Sequence, residues 1–478
     1  MPSGVPFTQG MSDVLFARSQ MAMSLAFHII FAVAGIGMPA LMVIAEWRWQ
    51  RSGDPVLREL AVRWAKGTAI LFAVGAVSGT VLSFELGLLW PAFMEHAGAV
   101  IGMPFSLEGF AFFTEAIFLG IYLYAWDRIS PRAHLAAGIV VTLSGVLSGA
   151  FVVCANAWMN APAGFAVVDG VFTDVDPLAA MFNAAAPAQV VHMTIASFSA
   201  TGFAVAGIHA WALRRGTVHR AFHRAALQIG LAMGVPAALV QPLSGDWSAR
   251  DVAEHQPVKL AAMEGHLRTG PAALVIGGWP DTETLTHRGA VELPGVLSLV
   301  LRGDPEASIP GLDAVPPTDR PPVGIVHLAF QLMVGCGMVM AAMAVWTLWR
   351  WRRRRAGRGV PLPDDRRFLA GLILAAPLGF VAIEAGWTVT EVGRQPWIIQ
   401  GVLRTAEAVT PMPGLMVPFA TFTALYIGLA LAVAFLLRRQ ILKTGIGDPS
   451  LRLTGELRIP TAADVPELSS GASASSGT

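Results

Sequence analysis

MAMSLAFHIIFAVAGIGMPALMVIA, residues 21 to 45, decides the architecture. It is an unbroken apolar run, long enough to cross a bilayer core, which takes about 20 helical residues. It contains no Asp, Glu, Lys or Arg, and its one titratable side chain is His28. Nothing before it combines a basic segment, a short apolar core and a cleavage site, and the run continues to Glu46, too long for a secretory leader. It reads as a retained first span.

Working outward, similar runs recur at residues 68–93, 105–126, 135–158, 190–213, 225–240, 323–349, 368–388 and 415–437. The expected fold is therefore an all-α integral membrane protein with about nine transmembrane helices. Composition agrees: 54% of residues are hydrophobic and 14% charged, with a mean hydropathy of +0.58, outside the range of soluble domains. A net charge of +1 argues against nucleic acid as a partner. Cys154 and Cys336, both in apolar stretches, make neither a disulfide framework nor a thiolate cluster, and no Cys-x-x-Cys-His is present. No internal repeat is visible.

Lys and Arg collect in short cytoplasmic loops. Arg48, Arg51, Arg58, Arg63 and Lys66 follow the first run, Arg128 and Arg132 the third, and Arg214, Arg215, Arg220 and Arg224 the fifth. Arg350, Arg352 to Arg355 and Arg358 follow the seventh, and Arg438, Arg439 and Lys443 the ninth. This predicts the N-terminus outside and the C-terminus in the cytoplasm. Residues 1–240 then hold spans one to six, 241–322 a long outer loop, 323–442 spans seven to nine, and 443–478 a cytoplasmic tail with a flexible Ser-, Gly- and Ala-rich end.

Ionisable groups inside spans are costly and point to function. His28 suits a metal at its depth, or a hydrogen bond to a neighbouring helix. His192 and Met333, both near the outer surface, can give six-coordinate, low-spin haem iron; alone, Met333 is packing. Glu108 and Glu115 lie two turns apart on one helix face, about 10 Å along the axis, as a proton relay, iron ligands or interhelical hydrogen bonds require. The eighth span ends in Glu384, Trp387 and Glu391, followed by Gly393-Arg394-Gln395-Pro396-Trp397. An arginine beside a carboxylate there can bind haem propionates, or the stretch can be an interfacial anchor. By the predicted orientation His28, Glu108, His192, Met333 and Glu391 share the outer half of the bilayer.

Several stretches resemble one family, the large subunit of cytochrome bd-type quinol oxidases, from near Phe16 to near Leu442. They are Gln20-Met21-Ala22 through His28, Leu107-Glu108-Gly109-Phe110 through Glu115, Cys154 to Met159, Val191-His192, Val258 to Glu264, Phe330 to Val334 and Glu384 to Trp397. The resemblance implies a respiratory enzyme of the bacterial inner membrane that oxidises quinol outside and reduces O2 to water at a buried di-haem site. Protons would come from the cytoplasm, so that a proton motive force arises without pumping. It implies a low-spin haem b on His192 and Met333. It also implies a high-spin haem b and a haem d, or a further haem b in its place, on His28 and Glu391.

The family's other roles fall on Glu108 beside the oxygen site, Trp387 and Arg394 beside the haems, Glu115 and Ser148 on the proton path, and Lys259 and Glu264 at the quinol. Gln331 stands where better-studied relatives carry arginine; the missing charge implies a lower low-spin potential. The outer loop resembles the short-loop branch, which includes cyanide-insensitive oxidases. Implied partners are a second subunit of homologous fold, a small single-helix subunit, quinol, O2 and lipid.

Two other classes compete on the residues alone. A proton-coupled transporter predicts ionisable groups at the midplane and broken helices in matching halves. A cytochrome b that never meets oxygen leaves His28 and Glu391 without a role.

Overall fold

The computed structural model describes residues 7–355 and 365–439; the predicted tail, 443–478, lies outside the described residues. Four long helices come first: α1 (Phe7–Ser52), α2 (Pro55–Leu89), α3 (Pro91–Tyr124) and α4 (Pro131–Asn160). A hairpin of β1 (Ala166–Val168) and β2 (Val171–Thr173) and a short α5 (Pro177–Met181) lead to α6 (Ala186–Arg214) and α7 (Arg220–His255). The long connection opens with α8 (Pro257–Glu264) and includes α9 (Val296–Arg302). After it come α10 (Val323–Arg355), α11 (Arg366–Ala375), α12 (Leu378–Val392), a short α13 (Thr405–Ala408) and α14 (Met416–Leu437). Among the described residues nine helical segments are long and apolar enough to cross a membrane, α11 and α12 together forming the eighth.

Proline sets several boundaries. Pro55, Pro91, Pro131 and Pro257 open their helices, where the missing N–H has no intrahelical partner to lose. Asp54, Ser130 and Asp365 cap α2, α4 and α11 by accepting from the first free backbone N–H groups. Pro377 separates α11 from α12.

Hydropathy underestimates two helices. α3 begins at Pro91 although Glu95 and His96 dilute its first turns, and α7 runs past residue 240, through Pro236 and Pro242, to His255. A helix that leaves the hydrocarbon keeps its hydrogen bonds while losing its apolar composition, so composition marks depth and not the helix end.

α1 packs on α2, α4 and α6, and α3 packs on α4. α6 in turn packs on α7, α11 and α12, and α10 on α7 and α12. Small residues bring backbones together, as is common between helices in lipid. A Cβ on Gly202 of α6 would lie 2.6 Å from Gly234 Cα of α7, and one on Gly379 of α12 only 2.4 Å from Ala200 Cα of α6. α2, α3 and α14 present exposed apolar side chains such as Phe84, Leu88, Phe110, Phe113, Ile117 and Leu431. Such faces suit lipid or a second apolar chain.

The long connection is held by paired strands: β3 (Gly270–Pro271) with β8 (Ser308–Ile309), β4 (Leu274–Ile276) with β7 (Val291–Leu293), and β5 (Trp279–Asp281) with β6 (Thr286–Arg288). The last pair nests inside the one before, with Val275 opposite Glu292 and Pro280 opposite His287. A fifth pair, β9 (Trp397–Ile399) and β10 (Leu403–Arg404), follows α12.

Candidate functional site

His28 on α1 and His192 on α6, both half-buried, are held alike. His28 Nδ1 lies 3.0 Å from Ser78 Oγ on α2, and Ser78 gives its own hydroxyl proton to Val74 O at 2.9 Å. The serine therefore accepts from Nδ1–H, and the lone pair is left on Nε2. His192 Nδ1 lies 3.0 Å from Ser244 Oγ on α7, which donates to Gln241 O at 2.9 Å, so the same tautomer follows. A ring with Nδ1–H fixed in this way presents its lone pair at Nε2, the form in which imidazole can bind a metal.

A glycine follows each serine and leaves room for the ring. A Cβ on Gly79 would stand 3.0 Å from His28 Cε1, and one on Gly245 3.6 Å from His192 Cε1. His192 differs in one respect: Gln241 Nε2 lies 3.2 Å from each of its ring nitrogens.

Met333 on α10 points its sulfur at α12, where a Cβ on Gly386 would come within 3.0 Å of Sδ. α6, α7, α10 and α12 pack as one group, so His192 and Met333 stand on one bundle. Trp387 packs in a cluster with Leu25 and Ile29, which flank His28 along α1, and with Met193, next to His192. A depression of about 450 Å³ opens beside it, lined by Ile30, Leu332, Glu384, Ala385 and Thr388. Glu384 Oε1 is buried with no protein partner.

Glu391 is gripped from two sides, by Asn156 Nδ2 of α4 and by Arg394. Arg394 is 2% exposed, yet its Nε and one terminal nitrogen have no protein partner. Buried guanidinium donors without an acceptor suit an anionic group such as a propionate. From Asn156 the bonds continue to α8: Asn160 Nδ2 donates to Asn156 Oδ1 at 3.0 Å, and Lys259 Nζ donates to Asn160 Oδ1 at 2.6 Å. Lys259 also donates to Gln256 Oε1 at 2.8 Å. Burial, with the Arg394 guanidinium nearby, pushes the Lys259 ammonium well below the usual lysine range. A hydrogen-bonded file thus joins α8 to Glu391.

Glu264 ends α8. It is 5% exposed, its Oε2 is buried without a partner, and burial pushes its carboxyl up to about 7. Glu108 accepts from Ser148 of α4 at 3.1 Å. Glu115 is buried against Gly145, where a Cβ would meet Oε2 at 3.3 Å. The α3–α4 seam therefore carries both carboxylates. Gln331 uses its whole amide on the long connection: Nε2 donates to Val275 O at 2.8 Å and Oε1 accepts from Gly277 N–H at 3.2 Å.

Several residues escaped the sequence reading. Glu85, 2% exposed on α2, accepts from Gln20 at 3.0 Å and Ser24 at 2.9 Å; a carboxylate inside an apolar run was the available signal. Glu46 accepts from His134 Nδ1 at 2.8 Å, both fully buried. Asn156 and Asn160 sit within or beside the quoted stretch Cys154 to Met159 without having been given a role. Ser78 and Ser244 carried no signal until their helices were paired.

The donor set fits haem: two imidazoles with Nδ1 anchored to serine, His192 Nε2 also meeting the Gln241 amide, a thioether, a carboxylate and buried arginine donors. Among the described residues no group of three or more His, Cys, Asp or Glu could hold a bare metal ion.

Comparison with known proteins agrees. The family model for cytochrome bd terminal oxidase subunit I matches residues 16–445. A putative cytochrome bd menaquinol oxidase subunit I of Bacillus subtilis is 36% identical over 436 residues, covering 89% of this chain and 96% of that protein. The cytochrome bd-II ubiquinol oxidase subunit 1 of Escherichia coli is 27% identical, covering 83% and 90%. The solved structure of bd oxidase from Geobacillus thermodenitrificans superposes with a TM-score of 0.84 at 38% identity, over 91% of this chain and 100% of that one. These likenesses, with nine apolar helical segments among the described residues, make the chain a member of the cytochrome bd terminal oxidase subunit I family, a quinol oxidase subunit of the membrane.

Proposed function

We propose that the chain oxidises quinol at the outer face of the bacterial inner membrane and delivers the electrons to O2 at a buried di-haem site. The observation that carries this reading is the file Lys259–Asn160–Asn156–Glu391–Arg394, which ties the outer loop to a carboxylate in the bundle. His192 and Met333 would hold the low-spin haem b. His28 and Glu391 would hold the two high-spin haems, a haem b and a haem d or a further haem b. When bound, the haems supply electron transfer and O2 reduction.

The chain's own groups do the rest. Lys259 and Glu264 bind and orient the quinol, and Arg394 holds an anionic haem edge in a water-excluded pocket. Trp387 fills the space between residues flanking His28 and His192. Glu108, hydrogen-bonded to Ser148, and Glu115 hold and pass protons arriving from the cytoplasm, so charge separates without a pump. Gln331, bonded to the outer connection where an arginine would place a charge, lowers the low-spin potential; a potentiometric titration unchanged in Gln331→Arg sinks that point. A second subunit of homologous fold covers part of the exposed apolar faces, and a small single-helix subunit accompanies it.

The test is a reduced-minus-oxidised spectrum of the purified complex, before and after carbon monoxide. Haem bands with a carbon monoxide shift are expected. Bands that do not shift would leave electron transfer without oxygen chemistry. His192→Ala and Met333→Leu should each remove the low-spin signal and keep high-spin haem.

A further inference from the structure

Beyond Glu264 the outer loop holds a second buried polar atom without a partner, a ring nitrogen of His287. His287, on β6, has a side chain 9% exposed. Its Nδ1 lies 2.9 Å from Glu292 Oε1 on β7, and that carboxylate is half exposed, at 51%. The carboxylate accepts from Nδ1–H, which leaves the lone pair on Nε2. That nitrogen is buried and has no partner.

Nε2 faces the end of α8. Gly265, the residue after Glu264, has φ +67°, and a Cβ there would stand 2.9 Å from His287 Nε2 and 3.2 Å from His327 Cε1. Only glycine takes this left-handed turn without strain and leaves both rings their place. His327 is itself locked, its ring nitrogens 2.9 Å from Met263 O and 3.1 Å from Gly277 O. With Gln331 it clips the loop to α10, so the β5–β6 hairpin cannot drift from Glu264. The hairpin is further seated where Trp279 meets Gly324 at the start of α10.

A carboxylate that fixes an imidazole tautomer and leaves Nε2 free is the arrangement of a general base. Here the carboxylate is wet and Nε2 is dry. We propose that His287 and Glu292 form the outward proton relay of the quinol site, His287 Nε2 accepting the proton that a quinol hydroxyl releases and Glu292 passing it to the outer solvent. Oxidation of one quinol to quinone breaks two O–H bonds. One proton passes through Nε2 as Nδ1–H hands its own to Glu292, and the other is taken by the Glu264 carboxylate; between turnovers the ring loses its Nε2 proton to water entering the empty site and regains one at Nδ1 through Glu292, while the two electrons go through the oxidase to O2. The relay rests on the reading of Lys259 and Glu264 as quinol-binding.

The experiment uses the intact oxidase complex with a short-chain quinol and follows oxygen consumption, haem content and the carbon monoxide spectrum. His287→Gln, which can still bond Glu292 but cannot relay a proton, should lower kcat by about 100-fold, with KM and both spectra unchanged. Glu292→Gln, at an exposed strand position, should lower kcat by about tenfold and leave the chain folded. Wild-type kcat in both variants overturns the relay, and so does loss of haem in His287→Gln with wild-type turnover in Glu292→Gln. Glu264→Gln separates the two readings. If it is inactive while His287→Gln turns over normally, the quinol site stands and the relay falls; if both turn over normally, the quinol reading itself falls.

Discussion

The α1–α2 and α6–α7 pairs solve one problem with the same three residue types. Each places a histidine on its first helix and a Ser-Gly dipeptide on its second, Ser78-Gly79 for His28 and Ser244-Gly245 for His192. The serine fixes the tautomer and the glycine makes room. They differ in tightness: a Cβ on the glycine beside His28 would stand 3.0 Å from the ring and one on the glycine beside His192 3.6 Å, and only His192 has an amide, Gln241, across its ring. A ring clamped by one partner and a wall is set for a single ligand position. The ring of His192 is steadied by a side-chain amide as well as by its serine.

The comparison breaks most completely at the histidines themselves. His28→Ala should remove high-spin haem alone and His192→Ala the low-spin haem alone, in a pyridine haemochrome count and a difference spectrum. Loss of all haem from either would show that the two sites fold as one. Next come the serines. Ser78→Ala and Ser244→Ala should each weaken their own haem by about 10- to 100-fold, the usual effect of losing the group that orients a metal-bound imidazole. The smaller loss is expected at Ser244, because Gln241 still touches the ring; titration of haem into depleted protein reads the difference.

The glycines follow. Gly79→Ala should cost about 1–3 kcal/mol by overpacking against the ring, whereas Gly245→Ala, at ordinary contact distance, should leave stability and spectrum unchanged. Equal costs, measured by thermal loss of each haem band, would remove the distinction in tightness.

The smallest effect contrasts the bundle with the loop. Glu264 keeps its proton to about pH 7 in the folded chain but only to about 4.3 unfolded. Between these values the folded state binds more protons, so loop stability falls as pH rises through the window. Limited proteolysis of the loop should quicken from pH 5 to pH 8, and Glu264→Gln should flatten that slope.

Much of this was legible before any coordinates. Apolar runs of spanning length give nine segments because the bilayer imposes length and composition together, and the first run carries His28 openly as its one titratable group. The course of α7 to His255 was not legible, because its last turns are polar and hold two prolines upstream. Nor were the serines. Ser78 and Ser244 are ordinary residues until the neighbouring helix supplies a histidine, and pairing between helices leaves no periodic trace. The same holds for Asn160, whose meaning depends on Lys259 nearly a hundred positions away.

The file from Lys259 to Glu391 has a consequence for how the two ends of the subunit communicate. Were quinol to bind at Lys259 as proposed and draw the ammonium off Asn160 Oδ1, Asn160, which donates to Asn156 beside Glu391, would lose its donor. Binding free energies at linked sites are reciprocal. On that proposed reading, occupancy of the oxygen side would alter quinol affinity by the factor with which quinol alters the oxygen side. Quinol dissociation constants measured with and without carbon monoxide would differ in the native chain and coincide in Asn160→Ala, so that a single asparagine sets whether the enzyme senses its two substrates together or apart.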